Sequence, residues 1–151
     1  MEDPAAAPIV AEAEAHIGEL LALWLTPRPG ECLPCFLHRS VEAFGCQNDL
    51  RFASRYRDLV APRATRLRER LEACGGYCDC EALMNVFEPA RHLWTPAYEE
   101  ERPGGGAVCS DAEPPERMPP CGGVRRASTR PCGNWYALRR LYSGRLRRRR
   151  W

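Results

Sequence analysis

The chain has 151 residues, room for one domain of ordinary size with tails, and 44% of them are apolar. Its net charge of +2 hides a split, since all 22 basic residues are arginine. The first 116 residues hold 11 arginines against 20 acids, a balance of −9, and the remainder carries +11. That pattern reads as an acidic body with a basic interaction tail, although a coding sequence rich in G and C would also favour arginine over lysine. Met1 is followed by Glu2 and Asp3 with no basic n-region, and the longest apolar stretch, Ile17–Leu25, is too short to span a bilayer. The expectation is a cytoplasmic protein, where close thiol pairs more often bind metal or do redox chemistry than form structural disulfides.

Ile9, Ala13, Ile17, Leu20, Leu21 and Trp24 recur at helical spacing, predicting an amphipathic helix over Pro8–Leu25. It ends at the breakers Thr26–Gly30. A second helix is expected over Leu33–Phe44, with Glu31 and Pro34 in its first turn, Gly45 as its cap, and Phe36, Leu37, Ser40, Val41 and Phe44 on its buried side. Asn48 or Asp49 is expected to cap a third helix that runs through Leu59; a fourth starts at Pro62 and closes at Gly75-Gly76. For Tyr77–Phe87 the first reading is a short strand carrying Cys78 and Cys80 on one face, and the alternative is a short helix over Glu81–Phe87. Glu99–Pro120 is acid, proline and glycine, the composition of a flexible linker. The terminal residues from Asn134 interleave arginine with Trp135, Tyr136, Leu138, Leu141, Tyr142 and Leu146, a pattern that could form a basic amphipathic helix on an anionic surface. The expected architecture is therefore mostly α with a short β element. Residues 1–30 form a helix and loop, 31–95 a cysteine-rich metal-binding core, and 96–151 a flexible linker and disordered Arg-rich tail.

Six of the nine cysteines lie between Glu31 and Glu81. Cys32 and Cys35 form a C-x-x-C pair at a helix start, where free backbone N–H groups favour thiolate. Cys78 and Cys80 form a C-x-C pair. Two thiol pairs brought together by the fold match a tetrahedral zinc site, so Cys32, Cys35, Cys78 and Cys80 are expected to converge on one Zn²⁺. Cys46 or His38 could replace one of them, and Cys74 is the next substitute. An iron–sulfur cluster with the same ligands is the alternative. Cys-Leu-Pro-Cys also resembles the thioredoxin-like active-site pattern, but no Val/Ile-rich strand feeds it.

Other residues offer less. No Ser-His-Asp set, phosphate loop or pair of catalytic carboxylates is seen, which argues against an enzyme. Asp79 and Glu81 flank Cys80 and are read as solvent-exposed or as orienting ligands; His38 is a ligand, a neighbour of one, or neither. Seven arginines between Arg51 and Arg70 face only Asp58, Glu69 and Glu72. They are either a solvated surface or a phosphate-contacting one.

The CLPCFLHR segment, the GC…LRFA…R segment, the APRAT helix and above all Gly75–Glu81, GGYCDCE, resemble a small actinobacterial domain family of unknown function. One branch comprises mycobacterial factors that recruit a ribosome-hibernation protein to the small ribosomal subunit when zinc is scarce. The likeness covers about Glu31–Arg91. It implies functional roles for Cys32, Cys35, Arg39, Cys46, Cys78, Cys80 and Glu81. Phe36 stands where that branch is expected to have tyrosine. The expected function is a non-enzymatic, zinc-responsive adaptor contacting the ribosome or a ribosome-associated factor, with RNA or partner contacts through Arg39, Arg63, Arg66 and Arg70. The alternatives are a thiol-redox or iron–sulfur regulator and a purely structural zinc domain.

Overall fold

Proline and glycine breakers divide the chain into short elements, which a computed structural model describes for residues 6–140 and 146–148. Helix α1, Ala6–Trp24, has the expected apolar stripe but does not bury it. Ile9, Ile17, Leu20, Leu21 and Trp24 are exposed, and only Leu25, just past its end, packs on the core. Helix α2 spans Leu33–Phe44 as expected. Pro34 lies in its first turn, and Gly45, with φ of 69°, closes it by donating to the carbonyl of Val41. Leu33, Phe36, Leu37 and Ser40 follow the helical repeat and form the buried face, while Val41 and Phe44 are half-buried.

Helix α3, Arg51–Val60, buries Phe52, Ala53 and Tyr56; helix α4, Leu67–Ala73, buries Leu67 and Leu71. Both start later than expected. The end of α4 explains the Gly75-Gly76 pair. Gly75 (φ 87°) donates to Glu72 and Gly76 donates to Leu71, the pattern of a Schellman cap. A Cβ on Gly76 would lie 2.9 Å from both Ala82 Cα and Val86 Cγ2, so only glycine fits there.

The following segment is helical, which corrects the expected strand at Cys78 and Cys80. The short helix α5, Asp79–Glu81, opens into a wider π-type turn over Ala82–Val86. Its start is a thiol version of the capping box: Cys78 Sγ accepts from the Glu81 N–H at 3.5 Å, and Glu81 Oε2 accepts from the Tyr77 N–H at 2.9 Å. Asp79 is buried rather than exposed. Its two carboxylate oxygens accept from the N–H groups of Phe52 (2.9 Å) and Ala53 (3.0 Å), capping α3 across the fold. Burial pushes the Asp79 carboxyl up, against the two N–H bonds that pull it down.

The strands make the fold mixed α/β rather than mostly α. Strand β1, Phe87–Pro89, pairs antiparallel with β4, Trp135–Arg140, aligning Phe87 with Ala137 and Pro89 with Trp135; β4 in turn pairs with β5, Leu146–Arg148. Trp135 and Ala137 are buried and Tyr136 between them is half-exposed, the alternation of a one-faced strand. Trp135–Arg140 is thus a strand where an amphipathic helix was expected; residues 141–145 and 149–151 of that stretch lie outside the described residues. Between the two parts, β2 (Tyr98–Glu101) and β3 (Ala107–Ser110) form an antiparallel hairpin whose loop carries Gly104, Gly105 and Gly106, all with positive φ.

The core joins α2, α3, α4, the π turn, β1 and β4 through Leu33, Phe36, Leu37, Leu50, Phe52, Tyr56, Leu71, Val86, Phe87 and Trp135. Burying each large apolar side chain of this kind contributes about 1.5–3 kcal/mol. Cys132, Trp135 and Ala137 belong to it, with Met118, Cys121 and Val124 packed against it. A domain boundary near residue 95 therefore divides one packed unit. The Tyr56 hydroxyl makes the same point, lying 2.8 Å from the Glu31 carbonyl and 2.9 Å from that of Ser128.

Candidate metal centres

All nine cysteines are free thiols, and seven of them fall into two clusters at the two ends of α2. At its N-terminal end Cys32, Cys35, Cys121 and Cys132 bring their four sulfurs within 4.8 Å of one another. Just past its C-terminal end, Cys46 meets Cys78 and Cys80 within the same limit. The single site expected from Cys32, Cys35, Cys78 and Cys80 is therefore not what the fold assembles. The reason is the rise of the helix between them: 12 residues at about 1.5 Å each set the two ends of α2 ~18 Å apart, too far for one ion.

The four-thiol cluster is built by α2 and by two Pro-Cys-Gly turns. Cys32 precedes α2 and Cys35 lies in its first turn. The turns Pro120-Cys121-Gly122 and Pro131-Cys132-Gly133 come from the segment before β4. In the first turn the amide two residues on points back at the sulfur. Cys121 Sγ accepts from the Gly123 N–H at 3.4 Å, and from the Cys32 N–H at 3.3 Å. At Cys132 the backbone N–H groups of Asn134 and Gly122 push the thiol's pKa down. Cys35 Sγ accepts the indole N–H of Trp135 at 3.3 Å and lies 3.8 Å from Cys132 Sγ. N–H donors aimed at sulfur favour thiolate over thiol, the form a metal requires.

Hydrogen bonding inside this cluster favours one thiolate among protonated neighbours. The Cys132 thiol is pushed down by hydrogen bonds from Cys32 and then Cys35. Cys32 and Cys35 are both pushed up, first because each donates to Cys132 and would lose that bond on ionising. One thiolate is thus stabilised by neighbours that stay protonated, whereas a central divalent ion would favour thiolate at all four positions.

The three-thiol cluster is smaller and more open. Cys78 is buried, whereas Cys46 and Cys80 are half-buried, and Cys78 Sγ lies 3.2 Å from Cys80 Sγ. The Cys80 thiol is pushed up to about 12 by its bonds to Cys46 and Cys78. For Cys46, burial acts upward but is outweighed by hydrogen bonds from the Cys80 backbone and thiol, the Asn48 backbone and the Cys78 thiol, so its pKa falls. Three thiols leave one position of a tetrahedron without a protein ligand, the arrangement of an open rather than a closed zinc site.

Of the other expected participants, none joins a cluster. His38 Nδ1 pairs with Glu42 at 3.3 Å and its ring lies 5.7 Å from that of Trp135. Glu81 serves as the cap described above. Cys74 is buried in the apolar core. Half-buried Arg39 forms a bidentate pair with buried Glu31, at 2.9 and 2.8 Å, and also donates to the carbonyls of Trp24 and Thr26. That pins the loop before α2 rather than presenting a free guanidinium. Arg66 pairs with Glu69 at 2.7 Å, and half-buried Arg70 donates to Thr129 Oγ1 at 3.2 Å. Arg63 is exposed and makes no ion pair among the described residues. The repeated Pro-Cys-Gly unit was the available signal for Cys121 and Cys132, and sequence reading passed over it.

Residues 33–85 match the family described as "Protein of unknown function (DUF2695)". No curated protein and no solved structure matches the chain. The matched segment runs from α2 into the π turn, so it contains the whole three-thiol cluster. Of the four-thiol cluster it contains only Cys35. No helix among the described residues is long and apolar enough to cross a membrane.

Proposed function

We propose that the protein is a non-enzymatic, zinc-responsive adaptor whose responding element is the cluster Cys46, Cys78 and Cys80, and whose partner is the small ribosomal subunit or a factor bound to it. The observation that carries this reading is the incomplete thiol shell, within 4.8 Å, at the segment matching the family of unknown function. A three-thiol site with half-buried members exchanges its ion with the surroundings more readily than a buried four-thiol site, because one coordination position is open to water or a partner's ligand. Cys78 and Cys80 flank Asp79, which caps α3. Filling or emptying this site therefore acts directly on the position of an arginine-bearing helix. The resemblance of GGYCDCE to a family that includes the hibernation-recruitment branch suggests the ribosomal partner. The exposed arginine surface around Arg63 is suited to RNA phosphate.

The test is co-sedimentation of the full chain with small ribosomal subunits across a range of buffered free zinc. Association should change with zinc in the parent protein and lose that dependence in Cys46→Ser/Cys80→Ser. Association that ignores zinc in the parent, or no association with subunits at any zinc level, overturns the reading. A second reading, thiol-redox regulation, is favoured by the 3.2 Å approach of Cys78 and Cys80 beside the acidified Cys46 thiol. Mild oxidant would then alter association at fixed zinc.

A further inference from the structure

We propose that Cys32, Cys35, Cys121 and Cys132 form a closed tetrathiolate zinc site whose role is to fasten the segment from Met118 to Trp135 onto the N-terminal end of α2. The four sulfurs all lie within 4.8 Å of one another. The 3.8 Å between Cys35 and Cys132 matches the ~3.8 Å expected of two sulfurs each about 2.3 Å from one tetrahedral ion. A multi-iron cluster holds its thiolates on different irons around a core of bridging sulfides and needs them spread wider than this. Four soft sulfur ligands in a tetrahedral shell suit zinc, the commonest occupant of closed four-cysteine structural sites.

The surroundings are built for thiolate. Cys121 accepts two backbone N–H groups and Cys35 accepts the Trp135 indole. Binding of one Zn²⁺ displaces the remaining S–H protons to solvent and leaves four thiolates around the ion, a centre of charge −2 that these N–H dipoles offset. Cys32 and Cys132 are buried, and no coordination position is left open, so the site belongs to the structural class.

The segment needs such a fastening. From Glu99 to Arg130 the large aliphatic side chains are only Val108, Met118 and Val124. That is too little apolar surface to offset the cost of ordering the chain. Beyond the packing of Met118, Val124 and Trp135 on the core, its ties include hydrogen bonds such as Val124 N–H to Gly30 at 2.9 Å and Arg70 to Thr129 at 3.2 Å. A zinc shared by residues 97 positions apart closes a long loop, where a cross-link restricts the unfolded chain most. This inference does not depend on the adaptor reading, because it concerns the other cluster and requires no partner.

The experiment uses the full chain, purified without added metal, and its Cys46→Ser/Cys80→Ser variant, which removes the three-thiol cluster. The variant should keep about one zinc per chain by mass-spectrometric metal analysis. Its X-ray absorption should report four sulfurs at ~2.3 Å, and Co²⁺ replacement should give the intense visible bands of a four-sulfur tetrahedron. Cys121→Ser/Cys132→Ser should lose that spectrum. Stripping the zinc with a chelator should abolish hydrogen-exchange protection across residues 118–137. A variant that holds no metal, that holds iron, or whose ion has fewer than four sulfurs overturns the site. Unchanged protection after chelation overturns its fastening role.

Discussion

The two ends of α2 carry the same ligand atom and differ in almost everything else. At the N-terminal end, four sulfurs drawn from positions 32 to 132 are closed in by Trp135 and by two Pro-Cys-Gly turns. At the C-terminal end, three sulfurs from positions 46 to 80 meet at a half-open rim. The first cluster reaches across the chain and holds distant segments together. The second is assembled within a single stretch of helices and turns, with Asp79 tying it to α3. The same thiol chemistry thus serves cohesion where the shell is complete and exchange where it is not.

The sharpest way to break the comparison is to remove one ligand at each end. Cys132→Ser should lower the unfolding temperature by roughly 10 °C or more. Losing a ligand forfeits about 3 kcal/mol or more of a structural zinc's binding energy, and each kcal/mol moves a domain of this size by about 2–4 °C. Cys80→Ser should shift it by no more than ~3 °C, since an exchangeable ion contributes little at low free zinc. Calorimetry of the two variants at equal zinc decides the matter, and equal shifts would collapse the distinction.

Gly76 tests whether the smaller cluster is held by packing rather than by metal. A methyl group there meets Ala82 and Val86 at 2.9 Å, so Gly76→Ala should cost about 1–3 kcal/mol through overpacking. The displacement falls on the turn that leads into Cys78. Zinc retention by the three-thiol site should therefore weaken, while the four-thiol site keeps its ion. Competition with a graded chelator series resolves the two losses, and simultaneous weakening of both would mean that the clusters are coupled through the core.

Much of this arrangement was legible, and the misses have physical causes. The limits of α2 followed from Pro34 and Gly45, because a helix start and stop are local events in the chain. Those same limits place Cys32 and Cys46 at opposite ends of about 18 Å of helix, too far for one ion, but they do not fix the end at which Cys78 and Cys80 fall. Cys121 and Cys132 were passed over because their segment lacks aliphatic residues, and composition cannot see a cross-link that substitutes for apolar burial. Asp79 was misread for a different reason. A carboxylate beside cysteines in sequence gives no sign that it caps a helix 26 residues away.

The arginines provide the finest contrast, because two of them looked alike in sequence. Arg70 donates to Thr129 in the segment that the four-thiol cluster fastens, whereas Arg63 stands exposed with no ion pair among the described residues. Arg70→Gln should therefore cost about 0.5–1.5 kcal/mol, the usual worth of a hydrogen bond, and loosen hydrogen exchange around Thr129. Arg63→Gln should leave stability within about 0.5 kcal/mol, as surface changes without partners do. If the arginine surface contacts RNA, Arg63→Gln should still weaken association and reduce its salt dependence by about one released counterion. Chemical denaturation measures the first pair of effects, and binding titrations at several salt concentrations measure the last. Loss of association in Arg70→Gln alone would assign the contact to the fastened C-terminal segment rather than to the exposed arginine surface.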